Sequence, residues 1–404
     1  MKDIPNPKKI VLAYSGGLDT SVIVAWLRDH YGAEVVCFTA DVGQGDDPDE
    51  LRKKALASGA CEFVYRDLRE EFVRDFVFEA VRANAIYENR YYLGTALARP
   101  IIAKAQIEVA HETGSDAVAH GSTGKGNDQV RFEVTYMAMD PYIRIIAPWR
   151  HWDFSSRTEL MDYARKLGVP IEQSTENPYS KDKNLLHLSF EGGVLEDPFV
   201  EPPAETYEMA RDPSKAPTEP DYVEIGFVDG TPTSVDGTDM RPHELLNHLN
   251  VRAGKYGIGR VDMVENRLVG IKSRGIYETP GGAVLHAAHR DLEGICLDRE
   301  TMHFKDVISL KYAEMIYYGL WYQTLRQALG GFVQATQQGV TGTVRMKLLP
   351  GSCMPVGRKA ESSLYDPKMA TFEKEDVYDQ LDAEGFIRLF GLQVKAKRLI
   401  AGLE

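Results

Sequence analysis

Apolar residues in the first third of the chain fall in short runs separated by longer stretches with helical spacing. The run from Ile10 to Tyr14 is halted by Ser15-Gly16-Gly17 and reads as a buried strand. From Thr20 to His30 the apolar positions are Val22, Ile23, Trp26 and Leu27, the spacing of one helix face. The same reading predicts strands over 34–40, 61–65, 117–119 and 143–147, and helices over 49–58, 70–83 and 97–113. Strands joined by helical connections imply an α/β fold with a mostly parallel sheet. In such folds ligands bind beyond the carboxyl ends of the strands, where residues 15–19, 41–45 and 121–128 would gather.

The pattern then changes. Six prolines stand between Asp197 and Asp221 among acidic and small residues, which reads as an extended connector. Beyond it come strand patterns over 222–228, 259–264 and 341–349 and helical patterns over 300–327, an α+β arrangement starting between residues 170 and 222. The tail over 376–399 is amphipathic through Phe386, Leu389, Phe390, Leu392 and Val394. A helix of that kind packs on its own chain or on a neighbouring subunit.

Composition narrows the function. Of 404 residues 43% are hydrophobic and 26% charged, which excludes wholesale disorder. The balance of 47 basic against 60 acidic residues, net −13, argues against a nucleic-acid partner, although a local basic pocket can still take an anionic substrate. Cys37, Cys61, Cys296 and Cys353 form no C-x-x-C pair, which argues against a zinc ribbon or a disulfide scaffold and fits a reducing cytosol. With no signal-peptide core and no 18-residue apolar run, the expectation is a cytoplasmic protein without a membrane partner.

The chemistry starts at Ala13-Tyr14-Ser15-Gly16-Gly17-Leu18-Asp19-Thr20-Ser21, between the first strand and the first helix. Glycines let backbone N–H groups approach phosphate oxygens, the hydroxyls add donors, and the helix points its positive end at the anion. Asp19 suits such a site only if a divalent cation bridges it to the phosphates, so Mg²⁺ is expected there. Neither a Walker A string nor G-x-G-x-x-G follows the first strand, which sets aside the common kinase loop and the dinucleotide fingerprint. The stretch Gly121 to Asp128 holds three glycines, two hydroxyls, an amide and a carboxylate. It could bind an amino acid, Asp128 accepting from an α-ammonium and Thr123 donating to a carboxylate.

The string SGGLDTS resembles the loop of the N-type ATP pyrophosphatases. YENRYYLGTALARP (87–100), HGSTGKGNDQVRFE (120–133), APWR (147–150), NPYSKDKNLLHLSFEGG (177–193) and VENRLVGIKSRGIYETP (264–280) together resemble the argininosuccinate synthase family. The resemblance implies a ligase of arginine biosynthesis joining L-citrulline to L-aspartate with ATP as co-substrate. It implies ATP contacts at residues 13–21, Ala40 and Gly121, citrulline contacts at Tyr91, Asn127, Arg131, Ser180, Ser189, Glu265 and Tyr277, and aspartate contacts at Thr123, Asn127 and Asp128. His120 and Arg99 are further candidates for phosphate or carboxylate. Ala96 departs from the family's serine, with Thr95 as a possible substitute. The implied organisation is a nucleotide-binding domain of ATP pyrophosphatase type over 1–170, a substrate and oligomerisation domain over 171–370, a helical tail over 371–404, and a homotetramer.

Related adenylating enzymes that carry a glutaminase need a nucleophilic cysteine, and none stands at the start of this chain. A nucleotide sensor that kept the loop without turnover is the reading from a different class, and it has no need for two amino-acid sites.

Overall fold

The computed structural model describes residues 6–124, 126–152, 157–166, 179–371, 373, 377 and 379–402. Strands β1 (Lys9–Ala13), β2 (Glu34–Asp41), β3 (Glu62–Asp67), β4 (Ala117–Ala119) and β5 (Arg144–Ile146) form one sheet in the order β3-β2-β1-β4-β5. Every pairing in it is parallel. Alternate residues of β1 serve opposite layers. Val11 packs with Val36 and Phe38 in one core, whereas Ile10 and Leu12 pack with Val22, Ile23 and Leu27 in another. Burial on both faces is why the strand reads as a continuous apolar run.

Helix α1 (Leu18–Tyr31) follows β1 and stops at Gly32, whose left-handed backbone returns its N–H to the Arg28 carbonyl. Helix α2 (Pro48–Ala57) starts at Asp47, whose side chain accepts the N–H groups of Asp49 and Glu50. The expected 70–83 helix is α3 (Arg69–Glu71), a π-helical segment Phe72–Val77 and α4 (Phe78–Arg82). Helix α5 (Gly94–Glu112) is three residues longer at its start than its apolar spacing predicts, and α6 (Asp128–Met139) follows the Gly121 loop. Gln106 of α5 donates to the carbonyls of Val11 and Ala119, holding β1 and β4 from behind. Helix α7 (Arg157–Lys166) completes this part. The expected boundary at 170/171 lies outside the described residues.

Two antiparallel sheets follow. One has the order β11-β12-β7-β6, from β6 (Ser180–Lys183), β7 (Leu188–Glu191), β11 (Arg260–Asn266) and β12 (Lys272–Glu278). The other has the order β10-β9-β8-β13-β14, from β8 (Asp221–Val228), β9 (Thr231–Val235), β10 (Thr238–Asp239), β13 (Gly342–Leu349) and β14 (Ser352–Ala360). Helices α8 (Pro242–Lys255), α9 (Pro280–Cys296), α10 (Arg299–Tyr317) and α11 (Thr324–Gln337) contribute to the same core.

Two expectations are corrected here. The helical pattern over 300–327 is broken after Tyr317, where Gly319 takes φ +75°. The proline-rich connector is docked, not loose. Buried Glu278 accepts the N–H groups of Glu208, Met209 and Ala210 at 2.6–3.2 Å, and Arg260 stacks 3.3 Å over the Tyr207 ring. A carboxylate receiving several amides holds a proline-rich segment that apolar spacing cannot reveal.

The chain divides into two compact units, residues 1–362 and 363–404. Within the second, α12 (Pro367–Ala370) precedes α13 (Asp382–Phe390) and α14 (Leu392–Ile400). Gly391 links the last two with hydrogen bonds on both sides, its N–H to Ile387 and its carbonyl from Lys395. The large apolar side chains among the described residues of this unit, Phe386, Leu389 and Phe390 included, are exposed.

Candidate active site

The strand order places β1 and β4 side by side at the point where the sheet changes direction, so the loops after both open one crevice. A cavity of about 810 Å³ lies there. Ala13, Tyr14, Ser15, Asp19, Thr20, Ala40 and Gly121 line one side of it. Gly16, Gly17, Leu18 and Ser21 stand back from the wall. A Cβ on Gly16, which has φ +74°, would come within 2.3 Å of Leu51, and Ser21 is buried with its hydroxyl 3.0 Å from that of Tyr14. Gly17 is the N-cap of α1, so it contributes no side chain to the first-turn N–H groups. Thr20 and Ser15 meet at 3.2 Å between their hydroxyls. The Ala40 carbonyl already accepts the Gln44 amide at 2.8 Å.

The opposite wall is a sheet face. Asp182, Ser189 and Tyr277 are register partners across β6, β7 and β12, and Ser180 is paired with Glu191. Partners in register point to the same side, and all five side chains line the cavity. Thr123, Asn127, Asp128 and Arg131 line it from the loop and α6, joined by Tyr91 and Glu265.

A chain of charged hydrogen bonds crosses the floor. Asp128 accepts from Arg99 Nε at 2.9 Å and from Arg131 Nη1 at 2.8 Å. Arg99 Nη2 also donates to Asp182 Oδ2 at 2.8 Å. Thr95 donates its hydroxyl proton to Asp182 at 2.8 Å and lies 2.9 Å from His187 Nε2. Because that hydroxyl has one proton, His187 donates through Nε2, which leaves Nδ1 a bare, buried acceptor without a partner. Burial holds the His187 imidazole down to about 4, against the attraction of Asp182. Burial alone would raise the Asp128 carboxyl, but Arg99 and Arg131 outweigh it and hold the group below the usual carboxylate range. Glu265 goes the other way, raised by burial, and its Oε2 has no hydrogen-bond partner. Glu191, also raised by burial, is paired with Arg267 at 2.5 Å.

Two candidates change character. His120 is fully buried, 3.0 Å from Glu133 and stacked on Phe132, and does not line the cavity. It is a packing residue. Ala96 is buried off the wall, and the Thr95 hydroxyl that could replace a serine is already engaged by Asp182. Asp182, Lys183, Glu191 and Arg267 line the cavity, with His187 behind it against Thr95, and none of the five is singled out by sequence. Their only signal is membership of the 177–193 and 264–280 strings.

Among the described residues no group of three or more His, Cys, Asp or Glu side chains could hold a metal ion. No helix of the described residues is long and apolar enough to cross a membrane. Residues 9–170 match the family described as the Arginosuccinate synthase N-terminal HUP domain, and residues 179–397 match the Arginosuccinate synthase C-terminal domain. The chain belongs to the argininosuccinate synthase family. Argininosuccinate synthase from Leptospira biflexa is 56% identical over 395 residues, 98% of each chain. The argininosuccinate synthase of Carboxydothermus hydrogenoformans is 56% identical over 392 residues, 97% of this chain and 98% of the relative. That of Roseiflexus sp. is 55% identical over 395 residues, 98% and 97% respectively. Among solved structures, an NAD⁺ synthetase from Burkholderia pseudomallei aligns with 41% of this chain and 76% of its own at 17% identity. The TM-score of that alignment is 0.22.

Proposed function

We propose that this cavity joins L-citrulline to L-aspartate, with ATP going to AMP and pyrophosphate. The observation that carries the reading is one cavity uniting the glycine-capped start of α1 with two carboxylates of opposite character, Asp128 and Glu265. The ureido carbon of citrulline is a poor electrophile. Its oxygen attacks the α-phosphate, an O–P bond forms, and the bond to the β-phosphate breaks. The aspartate amine then adds to the activated carbon, the C–O bond breaks, AMP leaves and the amine gives up a proton. Alignment and charge neutralisation supply most of the acceleration.

The first-turn N–H groups of α1 and the hydroxyls of Ser15 and Thr20 bind the phosphates, with Ala13, Tyr14, Ala40 and Gly121 around the nucleotide. Tyr91, Asn127, Arg131, Ser180, Ser189, Glu265 and Tyr277 hold citrulline, Glu265 facing its α-ammonium. Thr123, Asn127 and Asp128 hold aspartate. Asp19 is exposed in the first turn of α1, where its carboxylate would hold a divalent cation against the phosphates. When bound there, Mg²⁺ neutralises charge on the pyrophosphate leaving group. The working assembly is a homotetramer in the cytoplasm, built from the nucleotide-binding, substrate and tail segments expected from sequence.

The test is pyrophosphate release from Mg-ATP with citrulline and aspartate supplied separately, then together, with mass detection of the product. Release that depends on citrulline, and a condensation product when both are present, is expected. No release by a folded, ATP-binding protein would overturn the assignment.

A further inference from the structure

Tyr317 ends α10, is fully buried and does not line the cavity, yet it touches several residues that do. Its hydroxyl accepts from Asn127 Nδ2 at 2.9 Å, and its carbonyl accepts from Arg131 Nε at 2.9 Å. Its ring lies 4.8 Å from the Arg131 guanidinium carbon and meets Tyr91 edge-on at 6.0 Å. Behind it, Tyr87 stacks at 3.7 Å with the rings 7° from parallel, which fixes the plane. The close approach is built in. A Cβ on Gly319, two residues on, would come within 2.7 Å of the Arg131 Cα. The Asn127 amide is held at its other end by the Leu268 N–H, which donates to Oδ1 at 2.9 Å.

We infer that Tyr317 is a positioning residue that orients Asn127 and Arg131 for the two amino-acid substrates. The inference rests on the proposed ligation. Its hydroxyl accepts from the Asn127 amide while the Leu268 N–H holds the other end, so the amide is aimed from both sides. Its carbonyl, at the negative end of α10, sets the Arg131 guanidinium independently of the hydroxyl.

Tyr317→Phe separates these roles, because it keeps the ring stack and the carbonyl and removes only the hydroxyl. The Michaelis constant for citrulline should rise about fivefold, the effect of one neutral hydrogen bond, with that for Mg-ATP unchanged. In a double-mutant cycle the losses from Tyr317→Phe and Asn127→Ala should be less than additive.

A citrulline constant within twofold of the wild type or strictly additive losses would each overturn the assignment of Tyr317. A thermal melt on the same samples separates a folding defect from these outcomes. The wild-type pyrophosphate assay distinguishes the two claims. If it shows no citrulline-dependent release, the ligation reading fails and this inference falls with it, whereas a working wild type with a silent Tyr317→Phe sinks only the latter.

Discussion

Asp128 sits between two guanidinium groups, and that contact decides its state. With Arg99 and Arg131 on either oxygen it stays ionised at neutral pH. Its contribution to stability is present above the unfolded carboxylate value, about 3.9, and disappears as pH falls through the depressed folded value. Asp128→Asn removes the charge that an aspartate α-ammonium would meet. The expected outcome is a fall of about a hundredfold in kcat/KM for aspartate, with ATP binding retained by equilibrium titration. His187 has the opposite linkage. Held at about 4, it is neutral when folded and takes a proton on unfolding once pH drops below about 6.5. Wild type should therefore lose stability relative to His187→Gln as pH falls from 6.5 toward 4, by up to about 1.4 kcal/mol per pH unit. Urea melts at several pH values measure this, and a flat difference would show that the imidazole is already charged.

The β6–β7 hairpin shows what one turn residue can hold at the level of an element. Asn184 is 2% exposed, accepts the N–H groups of Leu186 and His187, and donates to the Gly94 carbonyl at 3.1 Å. A Cβ on Gly94 would lie 2.2 Å from the His187 ring, so the start of α5 and the hairpin meet almost backbone to ring. Asn184→Ala should cost about 2–3 kcal/mol and speed amide exchange across residues 180–191, with activity falling as Ser180, Asp182 and Ser189 lose their common face. Retained exchange protection would mean that the β7–β12 pairing alone holds the wall. This hairpin was not legible in the sequence, because Ser180 to Lys183 contains no apolar residue to set a period. The inner strands β1, β2 and β4 of the parallel sheet were legible, since a strand buried on both faces must be a compact apolar run. The π-helical turn over Phe72–Val77 is the intermediate case. The helix was visible in its apolar spacing, but a shift from one hydrogen-bond register to the next leaves no mark in a list of residues.

For the whole molecule, the exposed apolar residues of the second unit bear on assembly. A tail presenting Phe386, Leu389 and Phe390 to water is suited to burying them against other copies. If the homotetramer forms through it, light scattering will give the mass of four chains for the full protein and a smaller species once residues 363–404 are removed. An unchanged mass would assign the contact to the first unit.

Local physics accounts for what the sequence determined by itself. Alternating apolar runs and helical stretches predict a parallel sheet with its loops at the carboxyl ends, and a glycine turn between strand and helix puts the first-turn N–H groups of a helix there. Both follow from neighbours in the chain. Only the tertiary structure decided which distant charges meet. Arg99 bridges Asp128 and Asp182, Glu278 receives the amides of 208–210, and Tyr317 reaches Asn127 from 190 residues away. No periodicity links such partners, since each pairing depends on where whole sheets and helices come to rest.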